Sequence, residues 1–383
     1  MGKKRMKTQG KIKSILLAAF AALVLGGCKD GDNPFYAPNE TKIIGDIAFS
    51  DTICGIPLAI DSSVVPFFHR SVDDYFVVAN SGNTKLFSVY DSQSDSLIAQ
   101  FGTIGHANDE FPSSPANFYF GENEKGDKLL YVPDCEPTKG MVVNLSASIK
   151  SDKCIMENTI KYEDPDINIV HYFLPDDKEL QYHRAGIQEC HGERTFSPSR
   201  ISMKSGEETM YDMATYPNII PGDPAVLDCI YMLCSTISPN RKKLLEISYC
   251  MDWFTIVDIA SGKTLGVMYG EDRNPECFKS VSGMGFEDAA QKLVMYNLDF
   301  CATDAYVFIM YNDKYSISDV ENDPATCYSH PQVMVYDWEG NLVSSFVLDK
   351  AITQMDYNDK SKIMYGKELE TDGIYKFDLS GKL

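Results

Sequence analysis

The chain has 383 residues, with 35 basic and 55 acidic side chains and a formal net charge of −20. That balance argues against nucleic-acid recognition through a basic patch and against close contact of the folded body with an anionic leaflet. The eleven cysteines form no Cys-x-x-Cys pair, so a paired-thiolate zinc site is not expected. Mostly buried free thiols, with one or two disulfides that spacing cannot assign, are the expectation.

The first 27 residues carry six basic side chains (Lys3, Lys4, Arg5, Lys7, Lys11 and Lys13) and no acid. An uncharged apolar run from Ile15 to Leu25 follows, 11 residues long, where a membrane-spanning helix needs about 20. Basic head, short apolar core and small residues at the cut describe a cleaved secretory signal. The run Leu25-Gly26-Gly27-Cys28 resembles the bacterial lipobox, which implies a lipid thioether on Cys28 and cleavage before it. The expected organisation is therefore a signal peptide over 1–27, a tether over 28–40 and a folded body over 41–383. The expected partner of Cys28 is a membrane, reached through its lipid. Lys29-Asp30-Gly31-Asp32 resembles the acidic export signal of Bacteroidetes surface lipoproteins, with Gly31 splitting the acids. Removal of the signal leaves 29 basic against 55 acidic side chains, a net charge near −26.

A repeat runs through the rest of the chain. An apolar strand ends in Asp or Asn, turns through small residues and re-enters an apolar strand. Phe87-Ser88-Val89-Tyr90-Asp91 turns through Ser94 and Asp95, and Met141-Val142-Val143-Asn144 turns through Ser146 and Ala147. Ile201-Ser202-Met203-Lys204 is a degenerate copy, and Thr255-Ile256-Val257-Asp258 with Ser261-Gly262 is the clearest. Val333 to Asp337 and Tyr375 to Asp378 complete the series. This is the pattern of a β-hairpin, with Asp or Asn opening the turn and Gly supplying positive φ. The markers at 91, 144, 204, 258, 337 and 378 are separated by 53, 60, 54, 79 and 41 residues. Each interval holds one four-stranded blade of about 40–50 residues, so the fold class is all-β, a six-bladed β-propeller. No long helical periodicity interrupts it. The chain ends five residues after Asp378, so an N-terminal strand within Thr41 to Phe49 is expected to complete the last blade and remove its open edge.

Within the first repeat, Tyr75 to Asn80 leads to Ile98-Ala99-Gln100-Phe101-Gly102 and then Gly105-His106-Ala107-Asn108-Asp109-Glu110-Phe111. This stretch resembles the six-bladed, TolB-like propeller lipoproteins of Bacteroidetes, whose glycine-rich connection it matches at Gly102, Gly105, Glu110 and Phe111. Ala107 and Asn108 replace a Gly and a Pro of that pattern. The resemblance spans 41–383 and implies fold and compartment without an activity.

Chemistry is harder to place. Asn312 to Gln332 reads as an insertion and holds Asp319, Glu321, Asp323, Cys327, Tyr328 and His330. A solvated loop is the expectation there, with calcium at its acids as the alternative; no cofactor is otherwise expected. His183-Arg184 and Cys190-His191-Gly192-Glu193 form a second polar cluster, but adjacent residues on a strand face opposite ways. No nucleophile elbow, phosphate loop or His-Glu-x-x-His motif occurs. The expected function is a non-catalytic binding or scaffolding module for a peptide, protein or glycan. A metal-assisted hydrolase or lyase is the alternative, and requires several of His69, His106, His171, His183, His191 and His330 to converge at a central channel.

Overall fold

The computed structural model describes residues 38–383, apart from 50, 61–63, 82–84, 108, 137–138, 163–168, 175–177, 191–192, 204–209, 213–221 and 270–273. The signal segment and Cys28 lie outside the described residues.

Among the described residues, six sheets of four or five strands follow one another along the chain, with a separate two-stranded hairpin inside the third. Blade 1 consists of Pro66–Val72, Tyr75–Asn80, Phe87–Asp91 and Leu97–Phe101. Blade 2 is Tyr119–Glu122, Lys128–Glu136, Lys139–Asn144 and Met156–Lys161. Blade 3 is Ile169–Phe173, Glu179–His183, Arg200–Met203 and Met210–Asp212. Blade 4 is Cys234–Ile237, Lys243–Ile247, Trp253–Asp258 and Thr264–Tyr269. Blade 5 is Asn297–Ala302, Tyr306–Tyr311, Gln332–Asp337 and Leu342–Leu348. Blade 6 takes Ile352–Asn358, Ile363–Glu368 and Ile374–Asp378 from the end of the chain. Its fourth strand is Ile56–Pro57, paired antiparallel through Lys376↔Ile56 and Tyr375↔Pro57.

The expected closure by an N-terminal strand is therefore present, but further along the chain than Thr41 to Phe49. Glu40–Ile44, within that stretch, instead runs parallel to the outer strand of blade 4, from Glu40↔Leu265 to Ile44↔Tyr269. Thr52–Ile53 then lies parallel to the outer strand of blade 5. One N-terminal strap thus covers the edges of blades 4 and 5 before completing blade 6. Covering these edges removes unpaired backbone groups that would otherwise template aggregation.

Middle strands are apolar on both sides because a neighbouring blade packs on each face. Phe76 through Asn80 are all buried, whereas the outer strand Met156–Lys161 is largely exposed. The repeated Asp closes its turn as the sequence implies. Asp91 accepts from the Ser94 amide at 2.7 Å, Asp258 from the Ser261 amide at 2.9 Å and Asp337 from the Asn341 amide at 2.8 Å. Gly262 sits at φ 67° and Gly340 at φ 72° in these turns. Asn144 departs from the pattern. It caps a helix, Leu145–Ser151, by accepting from the Ala147 amide at 2.8 Å. The copy ending at Lys204 enters a turn that lies outside the described residues.

Short helices occupy the loops, which the lack of long helical periodicity does not reveal. Pro224–Tyr231 links blades 3 and 4, and Asn274–Val281 and Phe286–Ala290 link blades 4 and 5. Ile317–Asn322 and Pro324–Cys327 fill the connection between the middle strands of blade 5. All lie on one face of the ring, where they share a core of Val226, Ile230, Tyr231, Trp253, Phe278 and Leu293. Ile230 and Tyr231 belong to the first of these helices. The long 258–337 interval therefore holds two insertions, and Asn312 to Gln332 is only one of them.

Candidate ligand-binding site

The interface between blades 2 and 3 is incompletely filled. A cleft of about 490 Å³ opens there on the face opposite the helical cap, beside the turn between the first two strands of blade 2. Its floor is apolar, made by Leu129, Tyr131, Val142, Phe173 and Leu174, all buried. These residues come from middle strands of blade 2 and the innermost strand of blade 3, so the ring fixes their positions. Tyr131 stacks on Tyr119 at 5.2 Å and on Phe173 at 5.3 Å between ring centres. Tyr119 and the Phe173 amide share a hydrogen bond, which ties the aromatic group to both blades.

Arg241, from a turn of blade 4, reaches into this wall. Its guanidinium lies 4.6 Å from the Tyr131 ring centre, a cation–π contact. Gly121 makes the approach possible, since a Cβ at that position would collide with both Arg241 and Tyr131. At the rim, Glu122 pairs with Lys128 at 2.9 Å. Glu157 accepts from Asn144 at 3.0 Å and Asn123 at 3.3 Å. Glu124 and Lys125 stand exposed at the mouth. A concave, pre-formed site with an apolar base and a few polar groups has the character of a small-ligand site.

The innermost strands carry a second polar group. Arg70 of blade 1 meets Asp356 of blade 6 at 3.2 Å, and the Ser71 amide and hydroxyl each donate to Asp356 at 2.6 Å. On blade 5, Asp299 accepts from the Met355 amide at 2.6 Å. Burial pushes the Asp299 carboxyl up to about 7, against the pull of the Met355 amide and Arg70. Asp356 is also raised by burial, with Arg70 and Ser71 drawing it back. Glu246 of blade 4 is likewise pushed up to about 7 by burial, while Tyr182 donates to it at 3.1 Å. None of these acids was singled out in the sequence. The available signal was a charge within an otherwise apolar strand, as in Leu244-Leu245-Glu246-Ile247.

The sequence-derived candidates do not come together. His69 is buried between blades 1 and 6 against Phe76, 3.4 Å from the Tyr365 carbonyl. His171 stacks on Tyr162 at 3.5 Å and bonds Glu179 within blade 3. His183 lies 3.3 Å from the Ser202 hydroxyl. His106 sits in the loop leaving blade 1, and His330 in the blade 5 insertion beside a 220 Å³ recess. His191 and Gly192 lie outside the described residues, while Cys190 pairs with Glu193 at the end of a hairpin inserted into blade 3. Among the described residues, no three His, Cys, Asp or Glu side chains are placed to hold a metal ion.

Two acids of the insertion serve helix ends. Asp319 and Ser316 form a reciprocal cap, and Asp323 caps the next helix through the Thr326 amide at 3.2 Å. Glu321 is exposed, and Tyr328 is half-buried beside buried Cys327. The described cysteines Cys54, Cys154, Cys229, Cys234, Cys250, Cys277, Cys301 and Cys327 are free thiols. No helix among the described residues is long and apolar enough to cross a membrane.

A family model for TolB-like six-blade propeller-like proteins matches residues 234–360, which is blades 4 and 5 and the start of blade 6. No curated protein matches the chain. Among solved structures, it is similar to a Bacteroides fragilis protein described as exported, at 9% identity and a TM-score of 0.49, covering 88% of this chain and 98% of that one. A DUF4221 family member from Bacteroides vulgatus is similar at 9% identity and a TM-score of 0.48, covering 89% and 98%. The fold is thus a six-bladed β-propeller, similar over blades 4 and 5 to the TolB-like six-blade family.

Proposed function

We propose that the protein is an exported lipoprotein, anchored through Cys28, whose propeller is a non-catalytic binding or scaffolding module. The observation that carries this reading is the cleft between blades 2 and 3, with its apolar floor built from strands of both blades. The lipobox-like Leu25-Gly26-Gly27-Cys28 supports the anchor. The tether meets the ring at blade 4, where Asn39 and Thr264 exchange hydrogen bonds of 2.9 Å. Thr264 follows an outer turn on the same face as the cleft. The segment from Cys28 to Asn39 spans about 40 Å fully extended, so the cleft stays near the membrane, within reach of a peptide, protein or glycan held there.

Metabolic labelling with an alkyne fatty acid tests the anchor. The wild-type protein takes the label and sediments with membranes. Cys28→Ala loses both properties. A soluble, unlabelled wild-type protein would sink the anchor.

A further inference from the structure

Arg241 is the unusual group of the cleft. It is only 9% exposed and sits at φ 58°, a left-handed conformation that costs a non-glycine residue energy. Its Nε is buried with no hydrogen-bond partner, and no carboxylate among the described residues pairs with its guanidinium. A buried cation without a counter-charge is costly, and Tyr131 offsets that only in part. Two of the carboxylates lining the cleft are engaged elsewhere. Glu122 is taken by Lys128, and Glu157 by Asn123 and Asn144.

We infer that the cleft between blades 2 and 3 takes a small monoanion with an apolar body, its charged end held by Arg241. The apolar body lies on Leu129, Val142, Phe173 and Leu174, and a carboxylate or similar group completes the hydrogen bonding that Arg241 lacks. The volume of about 490 Å³ suits a ligand of ordinary small-molecule size. This rests on the reading of the cleft as a binding site and goes beyond it, naming a small anionic ligand for the cleft itself. The acidic surface of the protein repels most anions, so selectivity here comes from one buried cation against an apolar floor.

Calorimetric titration of the purified protein with 2-naphthoate and its neutral isostere 2-naphthamide tests the inference. Naphthoate is expected to bind with a stoichiometry of one, and the amide about tenfold or more weaker, as expected for losing a charge-assisted hydrogen bond. Arg241→Asn, a residue that tolerates positive φ, should weaken naphthoate to the level of the amide. Arg241→Lys keeps the charge and should fall between them. Val142→Trp, which fills the cleft, should abolish binding of both. Equal affinity for the two probes, or naphthoate binding indifferent to Arg241→Asn, overturns the anion site and leaves the cleft as a binding site. Naphthoate binding that survives Val142→Trp places the anion elsewhere and overturns the inference. No binding of either probe removes the cleft reading itself.

Discussion

Arg70 of the first blade and Asp356 of the last meet at 3.2 Å across the junction where the ring closes. Asp356 also accepts two hydrogen bonds from Ser71, so three donors from blade 1 converge on one carboxylate of blade 6. Both side chains are largely buried, at 17% and 7% exposure. Removing one partner of such a pair strands the other charge, at a cost of about 3 kcal/mol or more. Asp356→Ala is therefore expected to lower unfolding stability by that amount in urea, and Arg70→Met with Asp356→Leu by much less. Equal losses in the single and double variants would show that the pair does not couple the two blades.

Stability should also depend on pH through two acids whose carboxyls are raised by burial. Asp299 and Glu246 both titrate near 7 in the folded protein, against about 4 when unfolded. Their contribution is complete below pH 4 and is lost as pH rises through 7. His69, lowered to about 3 by burial, acts oppositely: its contribution holds above pH 6.5 and is lost as pH falls toward 3. The melting temperature should thus decline between pH 5.5 and 8. Asp299→Asn should flatten that decline, with the two proteins closest near pH 4, where the Asp299 contribution is complete. A wild-type melting temperature that climbs across this range contradicts the assignment.

The strap makes a prediction about truncation. A chain starting at residue 38 retains all three strap strands and should melt with the full protein. A chain starting at residue 58 loses Glu40–Ile44, Thr52–Ile53 and Ile56–Pro57, exposing three sheet edges. It should melt several degrees lower and aggregate on sizing chromatography. Identical melting and elution of the two would mean that the strap does not hold the ring.

Thiol chemistry follows burial. Cys54 is exposed, whereas Cys250 and Cys301 are buried, with thiols held well above the ordinary range by loss of hydration. Iodoacetamide should modify Cys54 in the native protein and reach Cys250 and Cys301 only after unfolding, as read by peptide mass spectrometry. Rapid native modification of Cys301 would show that the core of blade 5 opens.

Much of the ring was legible because one local signal recurs. Asp91, Asp258 and Asp337 close hairpins by bonding their own turn, and such chemistry is written in a few adjacent residues. Completion of blade 6 by an N-terminal strand was expected, and Ile56–Pro57 provides it. Which N-terminal strand supplies it was not legible, since Ile56–Pro57 is only two residues long and tertiary pairing alone chooses it over Thr41 to Phe49. The helical cap was hidden because its helices are one or two turns long, too short for periodicity to separate from strand. The cleft was invisible for a stronger reason. Tyr131, Phe173 and Arg241 come from three blades and meet only through ring geometry, and Gly121 looks like any strand glycine until Arg241 is beside it.

Hydrogen–deuterium exchange of the intact protein, with and without saturating 2-naphthoate, tests most directly whether this propeller binds at the blade 2–blade 3 cleft. Added protection should be confined to 119–131, 139–144, 156–161, 172–174, 178–180 and 238–242. Protection appearing instead on the helical cap at 224–231 or 317–327, or no change anywhere, would contradict it.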